Sequence, residues 1–398
     1  MALSLIVLGV VGVAVALHPF ITYPLSLWCL SRWRSVPMPP PLVTQTKTAT
    51  ESATESGPSG SSPVAICMCA YNEERVIEAK MTNLLTLKRE NPGVEIEILV
   101  YVDAATDRTA ELLRAHGDAI RLVVGAERMG KTHGMNLLVS LATKPIVLFT
   151  DANVMLDVHA PSRLMRYFAD PKIGCVSGHL RYTNPEDSVT AYTGSLYWRL
   201  DEWTKHLETA TGSAVGADGS LFAIRRELHR PPPDDIIDDM YVSMMIGFEG
   251  HRVVQADDVI AYEESVSVAR DEFNRKIRIG CCAFNAHREL WPQVRQQDAL
   301  SIYKYVSHKL IRWWTIFFLA AGVLSFELGL VLAGDRLAAA CFAGAAALGL
   351  LVGATATRGP LAQAWDILVA FAGTGLGVLR AVRGQRLRTW TPVSSIRK

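Results

Sequence analysis

The sequence has almost no net charge: 40 lysines and arginines stand against 39 aspartates and glutamates over 398 residues. A nucleic-acid binder needs a basic excess to neutralise phosphates, so that class is excluded. Cysteine is sparse, with seven residues, an odd number. Cys67 and Cys69 fall on one face of a predicted strand, and Cys281 and Cys282 are adjacent in a predicted helix. Neither pair has a second pair at zinc-ligand spacing, so a zinc centre is excluded and buried, reduced thiols are expected. No basic residue precedes the first apolar run, and no small-residue cleavage site follows it. That pattern reads as an uncleaved anchor rather than a signal peptide. The two ends are also poor in charge, which is concentrated in the middle. Such a distribution describes a soluble domain carried on membrane segments.

Residues 2–17 are almost wholly apolar, and the stretch continues with few breaks to Leu30. A membrane span needs about 20 such residues. Arg32 and Arg34 follow, which by the positive-inside rule places that end in the cytoplasm. Residues 35–62 begin with a proline cluster and continue rich in Ser, Thr and Gly, the composition of a flexible tether. Near the other end, Trp313 to Ala333 and Leu337 to Thr355 read as two spans. Residues 361–382 form a third apolar stretch, interrupted by Asp366, and a basic tail runs from Arg380 to Lys398. A cytoplasmic tail requires an even number of spans after the anchor, so residues 361–382 are expected to be interfacial or re-entrant. The expected division is an anchor at 1–34, a linker at 35–62, a soluble domain at 63–300 and a membrane region at 301–398. A transporter is excluded, because too few spans surround too large a soluble domain.

Within the soluble part, strands and helices alternate. Val64 to Cys69, Glu95 to Val102, Ile120 to Val124 and Ile146 to Phe149 read as strands. Helical patterns lie between them, over 75–88, 109–116 and from Lys131 to about Leu141. This alternation predicts an α/β domain with a doubly wound, mostly parallel sheet. Three of the strands end in polar residues on the same edge: Ala70, Tyr71, Asn72 and Glu73; Asp103; and Asp151 with Asn153. Ligands bind beyond the carboxyl ends of strands in such sheets, so these ends predict one cleft. Asp151 and Asn153, one residue apart, suit a hard divalent cation that also holds a diphosphate. The plainer alternative is a turn built by an Asp and an Asn. Further on, Asp238 and Asp239 open a helix that is predicted to stop at Gly250, and a charged helix spans 271–288. The middle section, which contains Tyr197, Trp198, Trp203 and Glu208, is Trp-rich and less regular.

The ordered set of motifs resembles the membrane-embedded family 2 glycosyltransferases of GT-A fold, the group that includes cellulose, chitin and hyaluronan synthases. The resemblance covers roughly residues 63–290. Ala70 to Glu74 resembles the family's opening nucleotide-binding segment. Asp103 to Thr109 resembles the second, and Gly130-Lys131 to Asn136 the stretch lining the donor. Asp151 and Asn153 stand where the family has Asp-x-Asp, and Asp238-Asp239 where it has an acidic pair before a helix. Two departures are plain. Asn153 brings no charge to the metal motif. Arg275 to Arg278 lies where processive members carry Gln-x-x-Arg-Trp, with the Gln and Trp missing.

The resemblance implies a GT-A, Rossmann-like nucleotide-sugar domain flanked by transmembrane helices. It implies an inverting transferase that moves a sugar from a nucleotide sugar, a UDP-sugar in this reading, to a saccharide or lipid-linked acceptor. The catalytic domain would face the cytoplasm at the plasma or inner membrane, and the product would be a polysaccharide or exopolysaccharide. Mg2+ or Mn2+ is expected on Asp151 and Asn153. Arg275 and Arg278 are diphosphate candidates, since a guanidinium fork suits phosphate; they also fit a solvated amphipathic face. Lys131 is a donor-side candidate or an exposed helix-start residue. Asp239 is the expected base, or a helix cap. Tyr71 could stack on the base, with Asp103 accepting its imide N–H; Tyr71 could also be a core aromatic. Trp198, Trp203 and Glu208 could line an acceptor site with Gly219 and Asp238, or pack at the membrane boundary. The competing function is a membrane-anchored nucleotide-sugar-binding protein without transferase activity, which the degenerate metal motif permits.

Overall fold

The computed structural model describes residues 1–37 and 63–389. Residues 38–62, most of the tether expected over 35–62, and the end of the basic tail lie outside the described residues. In chain order, α1 is Ala2–Leu17 and α2 Thr22–Trp33; β1 is Val64–Ala70 and α3 Ile77–Glu90. β2 is Ile96–Val102, α4 Thr109–Arg114, β3 Arg121–Val124, α5 Lys131–Leu141, β4 Ile146–Asp151 and β5 Met155–Leu156. α6 is Ala160–Tyr167, β6 Ile173–Tyr182, α7 Val189–Ala210, β7 Leu221–Arg225, α8 Asp238–Phe248 and β8 Arg252–Glu263. The chain closes with α9, Ala269–Val294, α10, Ala299–Tyr305, α11, Ile311–Leu332, α12, Arg336–Thr355, and α13, Pro360–Val382.

One eight-stranded sheet, in the order β3-β2-β1-β4-β7-β6-β8-β5, forms the centre. β1 is buried throughout, and its alternating side chains feed two cores. Val64, Ile66 and Met68 meet Ile77, Met81 and Leu84 of α3 on one face. Ala65, Cys67 and Cys69 meet Met135 and Leu138 of α5 on the other. Thiols at these positions are buried, as their placement within a two-sided strand predicts. The order reverses at β1: the chain builds β2 and β3 on one side, then returns to place β4 on the other. Such a reversal opens a crevice at the carboxyl ends. Cys69 pairs with Asp151 and Ala70 with Val102, so the three strand ends lie side by side there.

The sheet is less parallel than the alternation suggested. β7 runs antiparallel to both β4 and β6, and β5 antiparallel to β8. The section that reads as irregular contains a long strand, β6, and a 22-residue helix, α7. Their pattern is hidden because α7 buries Asp201, Glu202, Lys205 and Glu208 rather than an apolar stripe.

Three described helices are long and apolar enough to cross a membrane: Ala299–Leu332, Arg336–Thr355 and Pro360–Val382. The N-terminal run is not one straight helix; α1 and α2 meet at a 61° bend. Pro19, which cannot continue the helical hydrogen bonding, sits in the break. Residues 361–382 lie in one unbroken 23-residue helix, which removes the re-entrant alternative and leaves an interfacial or a crossing helix. Asp366 does not interrupt it, since an aspartate keeps both the backbone N–H and the carbonyl that the helix uses. Small residues bring these helices close. A Cβ on Gly377 would collide with the Ile277 carbonyl oxygen of α9, and one on Gly322 of α11 would lie 2.9 Å from the Gly9 carbonyl oxygen of α1.

Candidate active site

The switch-point crevice is a cleft of about 400 Å³, lined by the ends of β1 and β4, the starts of α5 and α8, and one face of α9. Lys131 is its central cation. Gly130 takes φ +94° to turn the chain into α5, which places Lys131 at the helix start. Its Nζ lies 2.7 Å from Asp151 Oδ1 and 4.0 Å from Asp238 Oδ2. Burial opposes the charge on Lys131, but Asp151, Asp238 and Asp239 outweigh it and keep the ammonium protonated.

The acidic pair opens α8 as the sequence suggested. Asp238 is buried, with its Oδ2 lacking a hydrogen-bond partner. Asp239 accepts from the Met240 N–H at 2.6 Å. Burial, then the neighbouring Asp238 charge, push the Asp239 carboxyl up to about 7, with Lys131 pulling the other way. Gly219 lies against this carboxylate, in the loop that leads into β7.

Asp151 ends β4 with its carboxylate one-third exposed to the cleft. Asn153 turns its amide nitrogen to Glu263 Oε1 at 2.8 Å. Burial, then the charge of Asp151, lift Glu263 to about 7. Among the described residues no group of three or more His, Cys, Asp or Glu is poised to hold a metal ion. The oxygen atoms of Asp151 and the Asn153 amide nevertheless fit a hard cation that takes its remaining ligands from a diphosphate and water.

The donor-side motifs divide into those in the cleft and those beneath it. Glu73 lines the cleft and is buried, with its N–H bonded to Thr109 Oγ1 at 2.8 Å. Ala70 ends β1, and its carbonyl receives the Asp103 N–H at 2.9 Å. Asn72 adopts φ +53° and clamps Thr106: its Oδ1 receives the Thr106 N–H at 2.8 Å. Asp103 is fully buried and accepts from Met129 N–H at 2.7 Å and Gly130 N–H at 3.2 Å. It therefore holds the loop before Lys131 in place. Tyr71 is no core aromatic; its ring carries the Arg128 guanidinium 3.5 Å from the centroid.

Arg275 and Arg278 both reach the cleft from α9. Arg275 is fixed by Glu272, at 2.7 Å. No ion pair of Arg278 is found among the described residues, and burial lowers its pKa. Two acceptor candidates lie away from the cleft. Glu208 does not line the cleft: it is fully buried and binds Tyr23 Oη at 2.5 Å, His308 Nδ1 at 2.6 Å and the Val215 N–H at 2.8 Å. Burial works against its charge, yet His308, Tyr23 and Lys304 hold its carboxyl down at about 2. Trp203 is 41% exposed and lies outside the cleft. Trp198 does line it, edge-on to Tyr182.

Several cleft residues escaped the sequence reading. Asp218, lifted to about 6 chiefly by burial, and Glu263 come from loop and strand ends with no distinctive spacing. Lys309 arrives from a π-helical turn, Val306–Leu310, and stands 3.8 Å from where a Cβ on Gly216 would be. The chain beyond α13 returns to the cleft mouth. Arg388 pairs with Asp234 at 2.7 Å and donates to the Met129 carbonyl at 2.8 Å, and Arg386 pairs with Asp235 at 2.9 Å. The basic character of this tail is visible in the sequence, but there it reads only as a topology signal.

The family described as "Glycosyltransferase like family 2" matches residues 62–281, more than half of the chain. The chain belongs to glycosyltransferase family 2. Its GT-A, Rossmann-like sheet is flanked by N-terminal helices and C-terminal candidate membrane helices. A poly-beta-1,6-N-acetyl-D-glucosamine synthase of Staphylococcus aureus is 27% identical over 198 residues, 48% of this chain and 47% of that protein. A beta-monoglucosyldiacylglycerol synthase of Nostoc sp. is 27% identical over 174 residues, 42% of this chain and 37% of that one. The chain thus matches about half the length, or less, of these family 2 relatives. Among solved structures, the mannosyltransferase PcManGT of Pyrobaculum calidifontis, in complex with GDP-Man and Mn2+, has the same fold. The TM-score is 0.67 at 22% identity, over 94% of this chain and 99% of that one.

Proposed function

We propose that the protein is an inverting glycosyltransferase that moves a sugar from a nucleotide sugar, a UDP-sugar in our reading, to a saccharide or lipid-linked acceptor. The reaction would take place at the cytoplasmic face of the plasma or inner membrane and serve polysaccharide or exopolysaccharide synthesis. The observation that carries this is the meeting of Asp151, Lys131 and the Asp238–Asp239 pair in one cleft, at the family's positions. The acceptor hydroxyl attacks the anomeric carbon, the carbon–oxygen bond to the diphosphate breaks, and Asp239 takes the hydroxyl proton. A carboxylate with a pKa near 7 is matched to that task. One base and no carboxylate nucleophile in the scheme mean single displacement, hence inversion.

Lys131 and Arg278 would neutralise the leaving diphosphate. Asp151, assisted by Asn153, would hold Mg2+ or Mn2+, which supplies Lewis-acid charge to the same diphosphate when bound. Tyr71 and Arg128 form a stacked pair suited to the face of a nucleobase. A purified sample should release nucleoside diphosphate from one member of a nucleotide-sugar panel in an acceptor-dependent manner. Donor binding without turnover would instead favour a nucleotide-sugar-binding protein without transferase activity. The uncharged Asn153, bonded to Glu263, is the observation on that side.

A further inference from the structure

Eight cationic side chains line the catalytic cleft. Six are ion-paired: Lys131 with Asp151, Lys205 and Arg312 with Asp201, Arg275 and Lys276 with Glu272, and Arg388 with Asp234. The other two are Arg278, which would meet the leaving diphosphate, and Lys309. No ion pair or hydrogen bond of the Lys309 ammonium is found among the described residues. The π-helical turn Val306–Leu310 explains the difference between neighbours. Such a turn adds a residue and re-aims the side chains around it. His308 is turned to Asp201 and Glu208, one ring nitrogen to each, while Lys309 is turned into the cleft.

The charged groups that act on Lys309 most strongly are Asp201, Lys205, Arg312 and Glu208. Both acids are already committed, Asp201 to Arg312 and Lys205, and Glu208 to Tyr23 and His308. The α7–α11 wall of the cleft therefore sets three cations, Lys205, Lys309 and Arg312, against Asp201 alone. A concave wall with one sign in excess concentrates ions of the other. This wall stands close to the proposed base. A Cβ on Gly216 would lie 3.8 Å from Lys309 Nζ and 3.9 Å from Ser243 Oγ. Ser243 donates to the Asp239 carbonyl at 2.5 Å, one turn along α8. Residues so spaced on a helix are about 5–6 Å apart, roughly the breadth of one sugar ring. Three buried atoms of the cleft lining also lack a hydrogen-bond partner: Trp198 Nε1, Glu264 Oε2 and Asp238 Oδ2. A small anion would leave the two carboxylate oxygens unmet. Sugar hydroxyls donate as well as accept, and the Trp198 indole is a surface on which a sugar ring packs.

We propose that the acceptor is an anionic saccharide, whose carboxylate or phosphate substituent rests on Lys309 while a hydroxyl of the same sugar residue is presented to Asp239. The inference rests on the transferase reading above. The hydroxyl oxygen forms the new bond to the anomeric carbon, its proton goes to Asp239, and the nucleoside diphosphate leaves with the bonding pair. Lys309 takes no part in that exchange. It is a point charge with three donors, so it accepts either anion and sets which acceptor is seated.

The test uses the full chain in phosphatidylcholine nanodiscs, with a panel of labelled nucleotide sugars. The acceptors are short oligosaccharides of glucose, mannose and N-acetylglucosamine. Each is supplied neutral, with the terminal C6 oxidised to a carboxylate, and with a phosphate on that C6. Binding is read by calorimetry in the presence of nucleoside diphosphate, and transfer by the label. At least one anionic form should bind tighter than its neutral parent and react with a kcat/KM about tenfold higher or more, since a hydrogen bond to a charged group outweighs a neutral one. Preference for the carboxylate would identify a uronic acid, and preference for the phosphate a phosphosugar. In Lys309→Met the ratio of anionic to neutral kcat/KM should fall to near one, through KM rather than kcat, with nucleotide-sugar affinity retained. Lys309→Arg restores the charge and should restore most of the ratio. Lys309→Gln replaces the methionine variant if that does not fold. Equal binding and equal rates for neutral and anionic forms in the wild type, or an undiminished ratio in a folded neutral variant, would overturn the proposal. Transfer to nanodisc lipid in preference to every saccharide would overturn it and leave the transferase reading standing. Failure to bind or hydrolyse any nucleotide sugar would remove both.

Discussion

Gly219 and Asp239 are in contact: a Cβ at Gly219 would stand 2.7 Å from Asp239 Oδ2, closer than side-chain atoms approach. The position of the acidic pair is thus set partly by the absence of a side chain across the cleft. Gly219→Ala should push the carboxylate away from its seat. A displacement of about 1 Å in a reacting group costs on the order of 100-fold in rate. Steady-state turnover should fall by that order, with the nucleotide-sugar dissociation constant little changed. Normal turnover would mean that Asp239 is free to relocate.

Asp239→Asn keeps the shape and removes the proposed base. Turnover should drop by about 10²–10⁴-fold with donor affinity retained. The wild-type rate should also fall as pH drops below about 7, because the carboxyl is then protonated. Stability runs the opposite way. A carboxyl raised from its unfolded value binds its proton more tightly when folded, so its contribution is present at low pH and is lost as pH rises through about 7. Asp239→Asn should therefore melt higher than wild type at pH 8, show a smaller gain at pH 5, and show none below about pH 4. A lower melting temperature at both would assign Asp239 to helix capping instead.

The Asp151 carboxylate is engaged by Lys131 and would be shared with a cation. Asp151→Ala should abolish metal-dependent turnover and weaken Mn2+ binding measured by electron paramagnetic resonance. Asn153→Asp adds a charge to the motif and should keep activity while tightening Mn2+. Chelator-sensitive turnover at the normal rate in Asp151→Ala would place the cation elsewhere.

Lys80 supports the same loop from below. It is fully buried on α3, and its Nζ donates to Thr150 Oγ1 at 3.0 Å and to the Val154 carbonyl. Burial pulls its pKa down to about 7. Lys80→Met would leave a buried hydroxyl and carbonyl without their donor, each worth about 1–3 kcal/mol. Its melting temperature should drop, and its Mn2+ affinity should fall further than its nucleotide affinity. Equal losses in both would point to general unfolding.

A reporter fused after Lys398 and one inserted in the 42–62 segment should both read as cytoplasmic. Opposite sides would mean that α13 crosses the membrane fully, as its 23-residue length also allows.

Much of the donor side is legible in the sequence. Ile146 to Phe149 is an unbroken apolar run because β4 is covered on both faces, and the chain turns polar where the sheet meets the cleft. Asp238 and Asp239 start a helix as their position after three prolines suggests, and Lys131 opens α5 behind a glycine whose φ other residues avoid. These are local signals, carried by side-chain period, caps and backbone freedom within a few residues. The environment of each charged group was decided by tertiary structure alone. Glu208 sits near Trp203 in sequence, but Tyr23 and His308, 185 and 100 residues away, turn it into a buried structural anion. Asn153 meets Glu263 across 110 residues, and Arg388 reaches Met129 across 259. Asp103 carries a family motif, yet folding commits its oxygens to the backbone of Met129 and Gly130. Periodicity constrains which face of an element is buried. It carries no information about which distant element crosses that face, and that crossing decides whether a carboxylate is a base, a ligand or a strut.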